Sequence, residues 1–161
     1  MFRQTLPYLY QQDEWRKNPD DPSNDNYSIL DELEDYRRAD GRFYFRLVWP
    51  GFDDIYYEWS QTSNPTSEDI AGYHSIFVPY SGQHWGGLEP STQALMDGSV
   101  GRPIQWYYAI GSHQLWKGGI PSYAKTDTDN VYPKQKVELY VSGNHFKNNK
   151  LLFIPNTRRE K

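Results

Sequence analysis

The alternation of hydrophobic and polar positions is clearest between Phe43 and Trp49, where Phe43, Phe45, Leu47 and Trp49 are interleaved with Tyr44, Arg46 and Val48. A period of two sends successive side chains to opposite faces of a strand, so this stretch predicts a strand with one large apolar face that needs a core. Pro50-Gly51 breaks the ladder and Asp53-Asp54 adds two adjacent carboxylates. Tyr56-Tyr57-Glu58-Trp59 then resumes an extended pattern, which Gln61, Ser63 and Asn64-Pro65 stop.

The same reading predicts strands at Phe2 to Thr5, Leu95 to Ser99 and Gln105 to Gly111. Val137 to Val141 alternates cleanly as a half-exposed strand, and Gly72 to Pro79 has a mixed pattern that suits a strand covered on both faces. Leu151 to Ile154 reads as a last strand or a docked tail, and a tail from about residue 155 is expected to be flexible. Pro7 to Tyr10 is an irregular aromatic continuation of the first strand, and Gln11 to Asn26 a long polar loop.

One amphipathic helix is predicted from Ser28 to Ala39. Ser28 caps it, acids occupy the first turns and arginines the last, and Gly41 supplies a left-handed stop. Ile29, Leu30, Leu33 and Tyr36 share its apolar face. Many short strands with one helix indicate a mainly β fold, an antiparallel β-sandwich or jelly roll, in a single domain over residues 1–161; an open α+β sheet is the alternative.

Composition narrows the function classes. The net charge is -4 with no long Lys/Arg run, which argues against nucleic acid or an anionic membrane as partner. No stretch approaches the about 18 apolar residues of a membrane span, and the absence of cysteine removes disulfides and thiolate metal sites. Asn26-Tyr27-Ser28 is an N-glycosylation acceptor in a secreted setting. The distinctive feature is aromatic: 17% of residues are Phe, Trp or Tyr, so more rings are present than a small core obviously needs.

Three loops concentrate similar residues: Glu58 to Asn64 with Trp59 and Gln61, Gln83 to Glu89 with His84 and Trp85, and His113 to Gly119 with Trp116. Converging, they would form an aromatic floor with directional amide and carboxylate edges at Gln61, Asn64, Gln83, His84, Glu89 and His113, which is how sugars are held. The competing reading is that the three tryptophans pin their loops to the core. An enzymatic alternative takes Glu58 and Glu89 as the acid and base of a glycosidase, with His84 or His113 beside them. A structural adhesion domain is the third reading. No nucleophile elbow, zinc motif or phosphate loop is present. No cofactor is expected; Asp53 and Asp54, with the aspartates of the Asn18 to Asp25 loop, are the only calcium candidates, and they lack EF-hand spacing.

Taken together, Phe45-Arg46-Leu47-Val48-Trp49-Pro50-Gly51, Glu58-Trp59-Ser60-Gln61-Thr62-Ser63-Asn64-Pro65, Trp85-Gly86-Gly87-Leu88-Glu89 and Trp106-Tyr107-Tyr108-Ala109-Ile110-Gly111 resemble a little-characterised domain of marine invertebrates and algae. That domain stands beside extracellular lectin-like and fibrinogen-related modules, and the resemblance covers most of Phe2 to Val141. It implies an extracellular protein with a glycan or small-molecule ligand and carries no established activity; without it the expectation is a cytoplasmic one. Phe2-Arg3-Gln4-Thr5 is similar to the start of fibrinogen-like domains, from which the missing cysteines depart, and Val137 to Val141 is similar to the last strand of discoidin-like sandwiches.

Overall fold

The computed structural model describes residues 1–52, 55–79, 85–99, 107–122 and 132–143. Ten strands are present among them: β1 (Phe2–Thr5), β2 (Arg16–Lys17), β3 (Tyr27–Ile29), β4 (Phe43–Val48), β5 (Tyr56–Gln61), β6 (His74–Phe77), β7 (Trp85–Pro90), β8 (Ala94–Ser99), β9 (Ile110–Ser112) and β10 (Lys136–Val141). They form a seven-stranded sheet in the order β2-β3-β1-β10-β4-β5-β6 and a three-stranded sheet in the order β7-β8-β9. All pairings are antiparallel. The fold is mainly β and consistent with the predicted sandwich.

The alternation read from the sequence sets the layering. Phe43, Phe45, Leu47 and Trp49 are all buried, as are Val137, Leu139 and Val141 of the neighbouring β10. Tyr57 and Trp59 of β5 extend this inner face and meet the small sheet at Trp85, whose ring packs edge-on against Trp59 at 4.7 Å and against Tyr57 and Tyr108 at 5.1 Å each. T-shaped contacts set the positive ring edge on the negative ring face, so the inter-sheet core gains electrostatics as well as burial. Gly98 is required here: a Cβ at that position would lie 2.2 Å from the Trp85 ring.

Two buried glutamines tie the sheets together. Gln61 Nε2 donates to the Leu88 carbonyl at 2.9 Å while its Oε1 accepts from the Leu88 N–H at 3.0 Å and from Trp59 Nε1 at 2.9 Å. Gln4 makes the equivalent exchange with Ser112 of β9, donating to its carbonyl at 3.1 Å and accepting from its N–H at 2.9 Å. A primary amide offers a donor and an acceptor side by side, so it can complete the backbone pairing of a strand in the opposite layer.

Four predicted elements are corrected. The helix is a 3₁₀ segment, Leu30–Tyr36, whose N-cap position is Ile29, and Ser28 gives it only a long contact, its hydroxyl accepting the Leu30 N–H at 3.4 Å. Ser28 is held as a strand residue opposite Phe2 and Lys17, with its hydroxyl donating to the Trp15 carbonyl, and Arg37 is already extended (φ -64°, ψ 125°). Residues 85–90 form a strand and not a glycine-rich loop. The strand expected over Gln105 to Gly111 begins only at Ile110, Tyr107 and Tyr108 lying in a turn and residues 105 and 106 outside the described ones. The strand expected to be covered on both faces, β6, is exposed throughout because it is the sheet edge and pairs only with β5. Leu151 to Ile154 and the tail lie outside the described residues.

Candidate functional site

The tryptophan floor expected from the loops does not form. Trp59 is fully buried and Trp85 is 7% exposed, both within the inter-sheet core, so neither ring is open to a ligand. Gln61 is consumed by the clasp just described. Asn64 is buried and organises its own turn: Oδ1 accepts from the N–H and hydroxyl of Thr66, and Nδ2 donates to Glu34 at 2.7 Å. His113 Nδ1 lies 2.9 Å from the Tyr10 carbonyl, and since a carbonyl oxygen can only accept, Nδ1 is the donor of that bond. Half-buried Trp116 closes a tight hairpin with Gly119, and the Lys117 ammonium stands 4.8 Å from its ring centre. Gln83, His84, Asp53 and Asp54 lie outside the described residues. Among the described residues no group of three or more His, Asp or Glu side chains is arranged to hold a metal, and no helix is long and apolar enough to cross a membrane.

Glu58 and Glu89 do not converge. On β5 Glu58 alternates with Tyr57 and Trp59, which point at the small sheet, so Glu58 points away from it. Glu89 belongs to the small sheet, where Oε2 accepts the Ile70 N–H at 3.2 Å and the residue stands opposite Asp97. The large sheet therefore separates the two carboxylates, and the glycosidase pair drawn from the sequence is not assembled.

What the fold does assemble is the outer face of the seven-stranded sheet. Register places Tyr140, Arg46, Glu58 and Phe77 in one transverse row across β10, β4, β5 and β6. A second row runs Arg3, Glu138, Val48, Tyr56 across β1, β10, β4 and β5, and a third runs Tyr44, Ser60, His74. At the strand spacing of a sheet, the first row is roughly 14 Å long.

Ion pairs and rings alternate along these rows. Arg46 Nε donates to Glu58 at 2.7 Å while its guanidinium lies over the Tyr56 ring at 4.7 Å, and Tyr56 in turn packs on Phe77 at 4.8 Å. Arg3 Nε donates to Glu138 Oε1 at 2.7 Å, and the Tyr140 hydroxyl donates to Oε2 at 2.5 Å. Burial, reinforced by the Glu138 bond and charge, pushes the Tyr140 phenol up to about 12, so it remains a neutral donor. The hydrogen bond to Asp40 likewise raises Tyr44, chiefly because ionising the phenol would place two anions together. Phe77 is 44% exposed and its neighbour Ile76 51%. Tyr44, Tyr56 and Tyr140 are each held by a charged neighbour and Phe77 by the Tyr56 ring, so the side chains of this face are fixed by one another.

Sequence reasoning singled out Glu58 among these residues, as a catalytic carboxylate, and left the others as the off-core positions of their strands. The signal was partial: the outward positions of β4, β5 and β10 carry Tyr44, Arg46, Tyr56, Glu58, Glu138 and Tyr140, beside the Val48, Ser60 and Lys136 of an ordinary sheet surface. Away from this face an open cleft of about 460 Å³ lies between Thr5, Leu6, Pro7, Tyr8, Asp25 and Asn26. Its ring, Tyr8, has its hydroxyl tied to Glu14 and the Lys17 ammonium 4.4 Å from its centre. No known protein family, no curated protein and no solved structure matches this chain.

Proposed function

We propose that the protein is a carbohydrate-recognition module and that its ligand lies on the outer face of the seven-stranded sheet. The observation that carries this reading is the transverse row Tyr140, Arg46, Glu58, Phe77 with Tyr56 beside it. The exposed Phe77 ring and the half-buried Tyr56 and Tyr140 supply flat apolar surface for the C–H face of a pyranose, and guanidinium and carboxylate groups between them supply paired donors and acceptors for hydroxyls. Glu58, a catalytic candidate in the sequence reading, becomes a binding residue in this one, and the loop tryptophans drop out of it.

The test is a glycan panel probed with the wild type and with Phe77→Ala. Phe77 is an exposed edge residue, so its loss leaves the fold intact. Retention of the wild type on a defined set of glycans, with about tenfold weaker binding by the variant, supports the reading; a stacked ring is a typical binding hot spot. A wild type that binds no glycan contradicts it.

A further inference from the structure

One corner of the outer face differs electrostatically from the rest. Among the described residues, Arg3, Arg16, Arg37 and Arg46 each sit in an ion pair with a carboxylate. Arg38 and Arg42 do not. Arg38 lies with its guanidinium 4.2 Å from the centre of the Tyr44 ring and donates from Nη2 to the Ser142 hydroxyl. Its Nε is buried and has no hydrogen-bond partner. Arg42 reaches across the neighbouring strand, donating from Nε to Ser60 Oγ at 3.0 Å and from Nη2 to the Gly72 carbonyl. The Asp40 carboxylate, which feels the charge of both arginines, spends its oxygens elsewhere: Oδ1 accepts the Arg42 backbone N–H at 3.0 Å and Oδ2 the Tyr44 hydroxyl at 2.7 Å. Among these three side chains two guanidiniums face one carboxylate, a positive balance in a chain whose net charge is -4.

From this we infer that the Arg38–Tyr44–Arg42 corner is an anion subsite, and that the glycans this face takes carry a carboxylate or sulfate group which sits between the two guanidiniums. A planar guanidinium presents parallel N–H donors that match a carboxylate or a sulfate edge, and such charge-assisted bonds are stronger than those to a neutral hydroxyl. The Tyr44 ring, fixed by Asp40 beneath Arg38, gives the adjoining sugar a surface to lie on. The Tyr44, Ser60, His74 row joins this corner to the Arg46, Glu58, Phe77 row, so one oligosaccharide can reach both. The inference rests on the carbohydrate reading and adds to it the charge class of the ligand.

The experiment measures binding of a heparin-derived sulfated hexasaccharide, an oligogalacturonate and a neutral cello-oligosaccharide to the wild type, Arg42→Ala, Arg38→Gln and Phe77→Ala, with inorganic sulfate as a competitor and salt concentration varied. The readout is the ratio of anionic to neutral affinity. A substitution that only loosens the fold lowers both affinities together and leaves that ratio unchanged. The expected result is a preference for one anionic oligosaccharide that falls as salt rises, with the ratio about tenfold lower in Arg42→Ala and in Arg38→Gln, the scale of one charge-assisted hydrogen bond. Neutral and anionic chains bound equally by the wild type, or a ratio unmoved in both arginine variants, overturns the subsite while leaving the carbohydrate reading standing. Inorganic sulfate that binds and is lost in the arginine variants, with no oligosaccharide bound, overturns the glycan as its source and the carbohydrate reading with it.

Discussion

The two faces of the seven-stranded sheet are built by the same strands and use aromatic residues in opposite ways. Inward, Phe43, Phe45, Trp49, Tyr57 and Trp59 are buried and packed ring on ring, with Phe45 stacked on Trp59 at 5.2 Å. Outward, Tyr44, Tyr56, Tyr140 and Phe77 are partly or largely exposed, and each of the first three lies against a charged side chain. The inner set accounts for folding. In the outer set only Tyr56 and Phe77 of the four rings pack on each other, and the three tyrosines lie against arginines or acids. The aromatic excess of the composition is therefore not one feature but two: a core that takes phenylalanine, tryptophan and tyrosine alike, and an outer face whose rings are mainly tyrosine.

That contrast can be broken from the inside first. Trp59→Ala removes a fully buried ring touching Phe45 and Trp85, and is expected to destabilise by about 3–5 kcal/mol in chemical denaturation. Gln61→Ala leaves the Trp59 indole N–H and both backbone groups of Leu88 without their partner, and is expected to cost about 3 kcal/mol. A melting temperature unchanged by Gln61→Ala would mean that the clasp between the sheets is not holding them.

Next in size is a pH effect in the small sheet. Asp97 is fully buried opposite Glu89, with Oδ1 accepting the Ser99 N–H at 2.8 Å and Oδ2 unpartnered. Burial first, and the Glu89 charge second, push its carboxyl up to about 6, against hydrogen bonds from Ser99 and Ser91. A carboxyl whose folded pKa lies above its unfolded value favours the native state while protonated. Its contribution is full below about pH 4 and is lost as the pH rises through about 6, a swing of up to about 3 kcal/mol. Melting temperature against pH is expected to fall across that window, and Asp97→Asn to flatten the fall and raise the melting temperature at pH 7. A wild-type profile matched by the variant across the window would remove Asp97 from the account.

The sequence carried the inner face well and the outer face poorly, for a physical reason. Burial imposes a period, so the alternation at Phe43 to Trp49 and at Val137 to Val141 was legible and is what the strands show. The helix at Ser28 was misread because pairing with Phe2 and Lys17 overrides a capping pattern. Glycines at 86 and 87 looked like a loop, yet they sit in a strand, where a Cβ at Gly87 would lie 2.5 Å from Ile70 Cδ1 and the backbone holds φ at +98°. Trp59 and Trp85 looked like loop residues for the same reason: which loops are loops depends on a second sheet that the local pattern does not announce. The outer face was missed because adjacency across β10, β4, β5 and β6 is a matter of register, and the register of β10 on β4, far back in the chain, is not written in either strand alone.

The smallest stability effect sharpens the comparison most. Tyr56→Ala removes an outward ring of the same sheet, its contact with the Arg46 guanidinium and its packing on Phe77, and is expected to cost less than about 1 kcal/mol. A loss as large as that of Trp59→Ala would make the outer rings part of the core after all.

The most direct test of recognition by the outer face is an amide chemical-shift titration of the isotopically labelled protein with an oligosaccharide retained on the glycan panel. The account predicts shifts that gather at Tyr44, Arg46, Glu58, Phe77 and Tyr140, on four adjacent strands, with His113 and the Trp116 hairpin unmoved. Shifts confined to the His113 to Gly119 segment, or to the cleft around Tyr8, would contradict it.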